Sequence, residues 1–168
     1  MEEIKTGMSV NNIVITKANL ADVEEITQLW SAIDQYASPK PFGGDNKDTK
    51  IIRTKEMIQH AINTQLACVL KATLDRRIIG TISGHVFERP TVKLSPIGVI
   101  YSLWVENDYR NNGIGKSLLT SIEECLHLMG ANALQVGWDT PNTYAGDWWQ
   151  RQGYTPYEMI ASKTMSRT

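Results

Sequence analysis

The stretch from Ile97 to Gly130 constrains this chain more than any other. "IGVIYSLWV" (Ile97–Val105) is an uninterrupted apolar run rich in β-branched and aromatic residues. That is the pattern of a strand buried on both faces. It runs into "YRNNGIGKSLL" (Tyr109–Leu119), where two glycines end the strand. Leu118, Leu119, Ile122, Cys125, Leu126 and Met129 then recur at helical spacing, and Gly130 stops the helix. A buried strand, a glycine turn and an amphipathic helix in that order must pack helix against sheet, which sets an α/β class.

The turn has the residues that handle phosphate: Gly113, Gly115, Lys116 and Ser117. Two familiar phosphate loops fail on spacing. A P-loop requires glycine five positions before its Gly-Lys-Ser, and that position is Arg110. A dinucleotide fingerprint starting at Gly113 requires glycine where Leu118 stands, and it belongs in a first βαβ unit. The physics remains without either label. The first N–H groups of the helix have no internal partner, and the helix dipole adds positive charge there. Gly113 and Gly115 let an anion approach the backbone, and Arg110 and Lys116 add cations. The segment therefore reads either as a phosphate or pyrophosphate cradle or as an ordinary turn with solvated charges.

The rest of the chain alternates strands and helices. Residues 1–11 read as a flexible tail, and 12–168 as one domain. Asn12–Ala18 is a short strand, and Asn19 caps a helix carrying Val23, Ile26, Leu29, Trp30 and Ile33 on one face. Ser38–Lys47 is a loop by its prolines and glycines, and Thr54–Asn63 a helix. Leu66–Leu74 and Ile78–Phe87 form a hairpin about Asp75–Arg76–Arg77. Asn132–Trp138 is a strand, Asn142–Gln152 a short helix, and Met159–Met165 a weak closing strand.

Charge and composition narrow the function classes. A formal net charge of −1 argues against nucleic acid or an anionic membrane as the main partner. No apolar run approaches a membrane span, and no secretory core precedes the first strand, so a cytoplasmic location is expected. Cys68 and Cys125 each sit in an apolar run and read as reduced core residues, and no metal-ligand spacing exists, so no metal is expected.

"VENDYRNNGIGKSLL" (Val105–Leu119) resembles the acetyl-coenzyme A signature of the GCN5-related N-acetyltransferase (GNAT) superfamily at Arg110, Gly113 and Gly115, with Val105 as the apolar end of the central strand. "NTYAGDWWQRQGY" (Asn142–Tyr154) resembles that family's last helix at Asn142, Ala145, Trp148, Gly153 and Tyr154. The resemblance implies an α/β (α+β) fold: a mixed, mostly antiparallel central sheet, splayed at its middle, with helices on both faces. It implies acetyl-coenzyme A as acyl donor. The pyrophosphate would sit on Asn111, Asn112, Gly113, Ile114, Gly115 and Lys116, with Ser117 adding a hydroxyl. The pantetheine arm would pair with the backbone of Leu103, Trp104 and Val105, and Asn142 would contact it from the last helix. A homodimer is compatible with the resemblance.

The implied reaction is direct acetyl transfer to a primary amine of a small molecule or peptide. It needs an amine made neutral before attack. Tyr101, two residues from Leu103 and so expected on the same strand face, and Glu88, at the end of the preceding strand, are the candidate general bases. His85 reads as a strand residue rather than a base. Tyr36, Phe42 and Asp139 are the candidate acceptor-side residues. One departure stands out: the family often has a tyrosine general acid where this chain has Trp149, and an indole cannot protonate a thiolate as a phenol does. A non-catalytic acyl-coenzyme A-binding module is therefore the alternative, with a nucleotide-binding protein as a third reading disfavoured by Arg110.

Overall fold

The computed structural model describes residues 12–33 and 46–163. The tail 1–11, most of the Ser38–Lys47 loop with Tyr36 and Phe42, and residues 164–168 lie outside the described residues.

Five strands form one sheet in the order β1-β2-β3-β4-β5. β1 (Val14–Lys17), β2 (Ala67–Leu74), β3 (Arg77–Phe87) and β4 (Ile97–Val105) are antiparallel neighbours. β5 (Ala133–Val136) joins β4 in parallel, after the crossover helix α3 (Ile114–Leu128). The β2–β3 hairpin closes through Asp75 and Arg76, both at positive φ (48° and 68°), the backbone of a two-residue hairpin turn. Arg77, expected in the turn, already pairs with Leu74.

Helices cover both faces, as expected. On one face, α3 buries Leu118, Ile122 and Leu126 completely against Leu70, Ile82 and Ile100. Each such side chain contributes about 1.5–3 kcal/mol on removal from water. α4 (Thr143–Arg151) joins this layer through Trp149. The other face carries α1 (Val23–Ile33) and α2 (Lys47–Asn63), whose Ile26, Trp30, Ile58 and Ala61 pack on Val69 and Ile78. Asn19 caps the 3-10 turn that leads into α1: it accepts from Ala21 N, and Asp22 answers by accepting from Asn19 N.

Three elements differ from expectation. α2 begins at Lys47 rather than Thr54, because Asn46 Oδ1 accepts the Thr49 N–H at 3.0 Å and starts the helix in a polar stretch with no apolar stripe. Residues 154–163 form no strand, so the closing strand does not form among the described residues. β4 is buried only in its first half, since Tyr101–Val105 are half-buried. The reason lies in β5. It pairs with Ile97–Ile100 and no further, so among the described residues no strand pairs with the outer edge of Tyr101–Val105.

Candidate functional site

The departure of β5 from β4 opens the sheet between its last two strands, rather than at its middle as the resemblance implies. Beyond Val136, Trp138 packs with the α3-side core and lies over Gly146 of α4. A Cβ on Gly146 would come within 2.7 Å of Trp138 Nε1, so the two approach as closely as glycine permits. This contact holds the end of β5 toward α4 and away from β4. The free edge of β4 runs from Tyr101 to Val105, roughly 13 Å at ~3.3 Å per residue, and its far end leads through a 3-10 turn (Asn107–Tyr109) to the glycine loop.

That loop ends at the N-terminus of α3, where Gly113 is the N-cap with φ 79° and ψ −3°. Asn111 is also left-handed, with φ 62°, while Asn112 between them is not. Such alternation turns successive N–H groups toward one concavity. Ser117 N makes the first intrahelical bond, to Gly113 O at 3.0 Å. The N–H groups of Ile114, Gly115 and Lys116 precede it in the helix and have no intrahelical acceptor. Helices α2 and α4 cover such donors with a side chain, since Asn46 accepts from Thr49 N and Asn142 Oδ1 from Ala145 N at 3.1 Å. No side chain caps α3. A Cβ on Gly113 would meet nothing within 4 Å, so the space above the loop is open.

Arg110 is used differently from the expected cation beside an anion. Its Nε donates to Val105 O at 2.8 Å, and its guanidinium lies 4.5 Å above the Trp104 ring. The side chain thus braces the loop against the end of β4. Asn112 also turns inward, donating from Nδ2 to Tyr109 O and Arg110 O. Lys116 and Ser117 are exposed at the mouth.

A β-bulge decides which β4 side chains face which layer. Trp104 pairs with Thr81 and Tyr101 with Ser83, so Ser102 and Leu103 together face Ile82. Ser102 has φ 55°. The extra residue breaks the alternation. Leu103 and Val105 pack on the α3 side, whereas Tyr101 and Trp104 pack on the α1–α2 side. Tyr101 therefore does not share a face with Leu103, contrary to the strict two-residue period.

Tyr101 sits where the β4 edge becomes free. Its ring meets Trp30 edge-on, with centroids 6.0 Å apart, and His85 at 5.7 Å. Burial raises the phenol above its ordinary value of 10.0, so it is neutral near pH 7. Glu88 is not brought to this place. It lies past the Phe87–Ile97 pair, at the opposite end of the sheet from the glycine loop, exposed, and accepts from Ser95 Oγ at 3.1 Å. Asp139 precedes α4, where its backbone carbonyl accepts from Asn142 N at 2.8 Å. Trp149 is 6% exposed in the core, edge-on to both Trp148 and Tyr154. Tyr144 points outward, 63% exposed.

Sequence reasoning passed over His85, Ser83 and Trp30 as parts of this wall. A two-residue alternation along β3 carries Ser83, His85 and Phe87 to one face and was the available signal. Ser83 is fully buried, and among the described residues neither its Oγ nor Trp30 Nε1 has a hydrogen-bond partner.

β5 thus parts from its parallel neighbour β4, and an uncapped helix N-terminus stands at the mouth of the split. The chain belongs to the acetyltransferase (GNAT) family, whose model matches residues 26–154. It is an N-acetyltransferase of that family, and the family uses acetyl-coenzyme A. Several solved structures share the fold. One is an aminoglycoside acetyltransferase, meta-AAC0020, from an uncultured soil metagenomic sample in complex with trehalose: 22% identity, 95% of this chain and 99% of that chain, TM-score 0.69. Another is AAC(6')-Iy in complex with the bisubstrate analog CoA-S-monomethyl-acetylneamine: 15% identity, 92% and 99%, TM-score 0.70. A third is a ribosomal-protein-alanine N-acetyltransferase from Brucella melitensis biovar Abortus 2308: 17% identity, 92% and 99%, TM-score 0.65. No curated protein sequence matches the chain.

Proposed function

We propose that this protein transfers an acetyl group from acetyl-coenzyme A directly to a primary amine of a small molecule or peptide. One observation carries the reading: the free edge of Tyr101–Val105 leads to the uncapped N-terminus of α3. A chain of amide groups ending in a pyrophosphate fits that pair of features, strand-like hydrogen bonding along one and anion binding at the other. Bound acetyl-coenzyme A would supply an activated acetyl thioester. The backbone of Leu103, Trp104 and Val105 would hold the pantetheine amides, and one N–H there would polarise the carbonyl. The N–H groups from Asn111 to Lys116 would hold the pyrophosphate, with Lys116 and the Ser117 hydroxyl at its rim and Asn142 on the far side of the cleft. Arg110 would keep the loop in register with the strand.

The acceptor would enter on the α1–α2 face, at Tyr101. Neutral Tyr101 acts there as a hydrogen-bonding wall rather than a base. Asp139 would join the acceptor side, for which Tyr36 and Phe42, outside the described residues, are also proposed. Glu88 is withdrawn from a direct role by its place beyond the last β3–β4 pair.

The test is thiol release from acetyl-coenzyme A against a panel of polyamines, aminoglycosides, arylalkylamines, amino acids and peptide N-termini. Release that depends on one amine class, with the acetylated amine seen by mass spectrometry, is the expected result. Cofactor binding without release across the panel would select the non-catalytic binding module instead.

A further inference from the structure

We infer that His85 accepts the proton of the incoming ammonium group, a role that rests on the transfer reaction proposed above. Direct transfer needs a neutral amine, and most amines are charged near pH 7. The two bases suggested by sequence do not fit the geometry. Glu88 lies beyond the last strand pair and holds Ser95. Tyr101 is neutral and protonated under the same conditions.

His85 is on β3, on the same face as Tyr101, two pairs before Tyr101, where the pairing with β5 has ended. Its ring is 5.7 Å from that of Tyr101 and 6.1 Å from that of Phe87. These contacts hold the imidazole plane on a half-buried site. Among the described residues no hydrogen bond or ion pair engages either ring nitrogen, so both are available to a ligand. A second observation points the same way. Ser83, two residues along β3 on this face, is fully buried with no partner for Oγ, and Trp30 Nε1 behind Tyr101 is likewise unpartnered. A wall of buried polar atoms without partners is costly unless a ligand satisfies them.

Among the described residues, the groups that pair with or meet the ring carry no charge. The cross-strand partners are Ala67 and Val99, and the ring neighbours are Tyr101 and Phe87. The helices over this face contribute Trp30, Ile33, Ile58 and Ile62 to the cluster. Tyr101 is the one titratable group among these, and it is uncharged near neutral pH. An ammonium N–H would pass its proton to the unprotonated ring nitrogen, leaving a neutral amine with its lone pair and an imidazolium. The half-exposed ring then returns the proton to water. Aromatic walls also favour an amine borne on an apolar or aromatic group.

The experiment uses the full chain with coenzyme A, 2-phenylethylamine as the probe, and His85→Gln. In histidine Cε1–H NMR spectra, the resonance missing from His85→Gln identifies His85. The probe should move that resonance and leave those of His60 and His127 in place. With the best amine of the panel, His85→Gln should lower kcat/KM by about 100-fold or more and remove the acid limb of its pH profile. Its thermal midpoint and coenzyme A affinity should stay at the wild-type values. A His85 resonance unmoved by the probe overturns the inference, even if no panel amine is acetylated. So does a His85→Gln enzyme within threefold of wild type with the same profile. Failure of the whole panel alone sinks the transfer reaction, not the binding of amine at His85.

Discussion

Trp138 lies over Gly146 so closely that a single added carbon would come within 2.7 Å of the indole nitrogen. The pair joins the end of β5 to α4 and so fixes the width of the cleft. Gly146→Ala is expected to destabilise the protein by about 1–3 kcal/mol through overpacking. Combined with Trp138→Phe, it should lose less than the sum of the two single changes. Urea unfolding of the four proteins in this cycle measures the coupling. Additive losses would show that the contact does not hold the cleft.

Gly113 separates backbone strain from ligand contact. It is left-handed, and the space above it is open. Gly113→Ala should cost about 1–2 kcal/mol of stability from the conformation alone. Gly113→Asn should recover much of that, since asparagine tolerates left-handed backbone. Both should raise the dissociation constant for acetyl-coenzyme A about tenfold or more, equivalent to roughly 1.4 kcal/mol, because any Cβ projects into the anion's space. Calorimetric titration checks affinity, and thermal melts check stability. Wild-type affinity in Gly113→Asn would remove the loop from the cofactor site.

Trp149→Tyr would place at this position the tyrosine that the family resemblance implies. Trp149 is a core residue packed on Trp148 and Tyr154, so a hydroxyl there would be buried in apolar surroundings. The expected outcome is a loss of about 1–3 kcal/mol and no rise in kcat. A faster enzyme at unchanged stability would mean that position 149 reaches the leaving thiol.

Alkaline pH should destabilise this protein through three buried acids, Tyr101 and the two that follow. Burial, with the Cys125 contact second, pushes the Cys68 thiol from 9.0 up to about 12. Burial also raises the Tyr154 phenol, which donates to Glu123 Oε1 at 2.7 Å. All three folded-state values lie above the unfolded ones. Their stabilising contribution is therefore complete below about pH 9 and is lost as pH rises toward 12. Cys68→Ala and Tyr154→Phe should each flatten the decline of the thermal midpoint between pH 9 and 11. Slopes equal to wild type in both would refute the assignment.

The strongest local signals were legible in the sequence. The β4 run, the α3 stripe and the Asn19 cap each rest on a period or a capping residue that acts within a few positions. The glycine turn into α3 at Arg110–Lys116 was legible too, although the bracing of Val105 O by Arg110 was not, since it depends on how the loop folds back. α2 was begun too late because Lys47–Arg53 has no apolar stripe, and its start depends on the Asn46 side chain. The faces of β4 were misassigned beyond Tyr101 because a left-handed serine has no signature in sequence. His85 was set aside for a related reason. Its neighbours Tyr101 and Trp30 come from distant parts of the chain, and only the assembled sheet brings the three rings together.

The bulge at Ser102 gives β4 something like a shifted reading frame. Upstream of it, odd-numbered residues face the α1–α2 layer, and downstream the even-numbered Trp104 does. One strand thereby sends Tyr101 and Trp104 to the side where an acceptor would enter, and Leu103 and Val105 to the core beneath the donor loop. Straightening the strand with that residue kept in line would put its two halves back in phase, with Leu103 and Val105 on the face of Tyr101 and Trp104 on the opposite one. Every position that touches donor or acceptor would still be present, yet one set would be turned to the wrong side of the sheet.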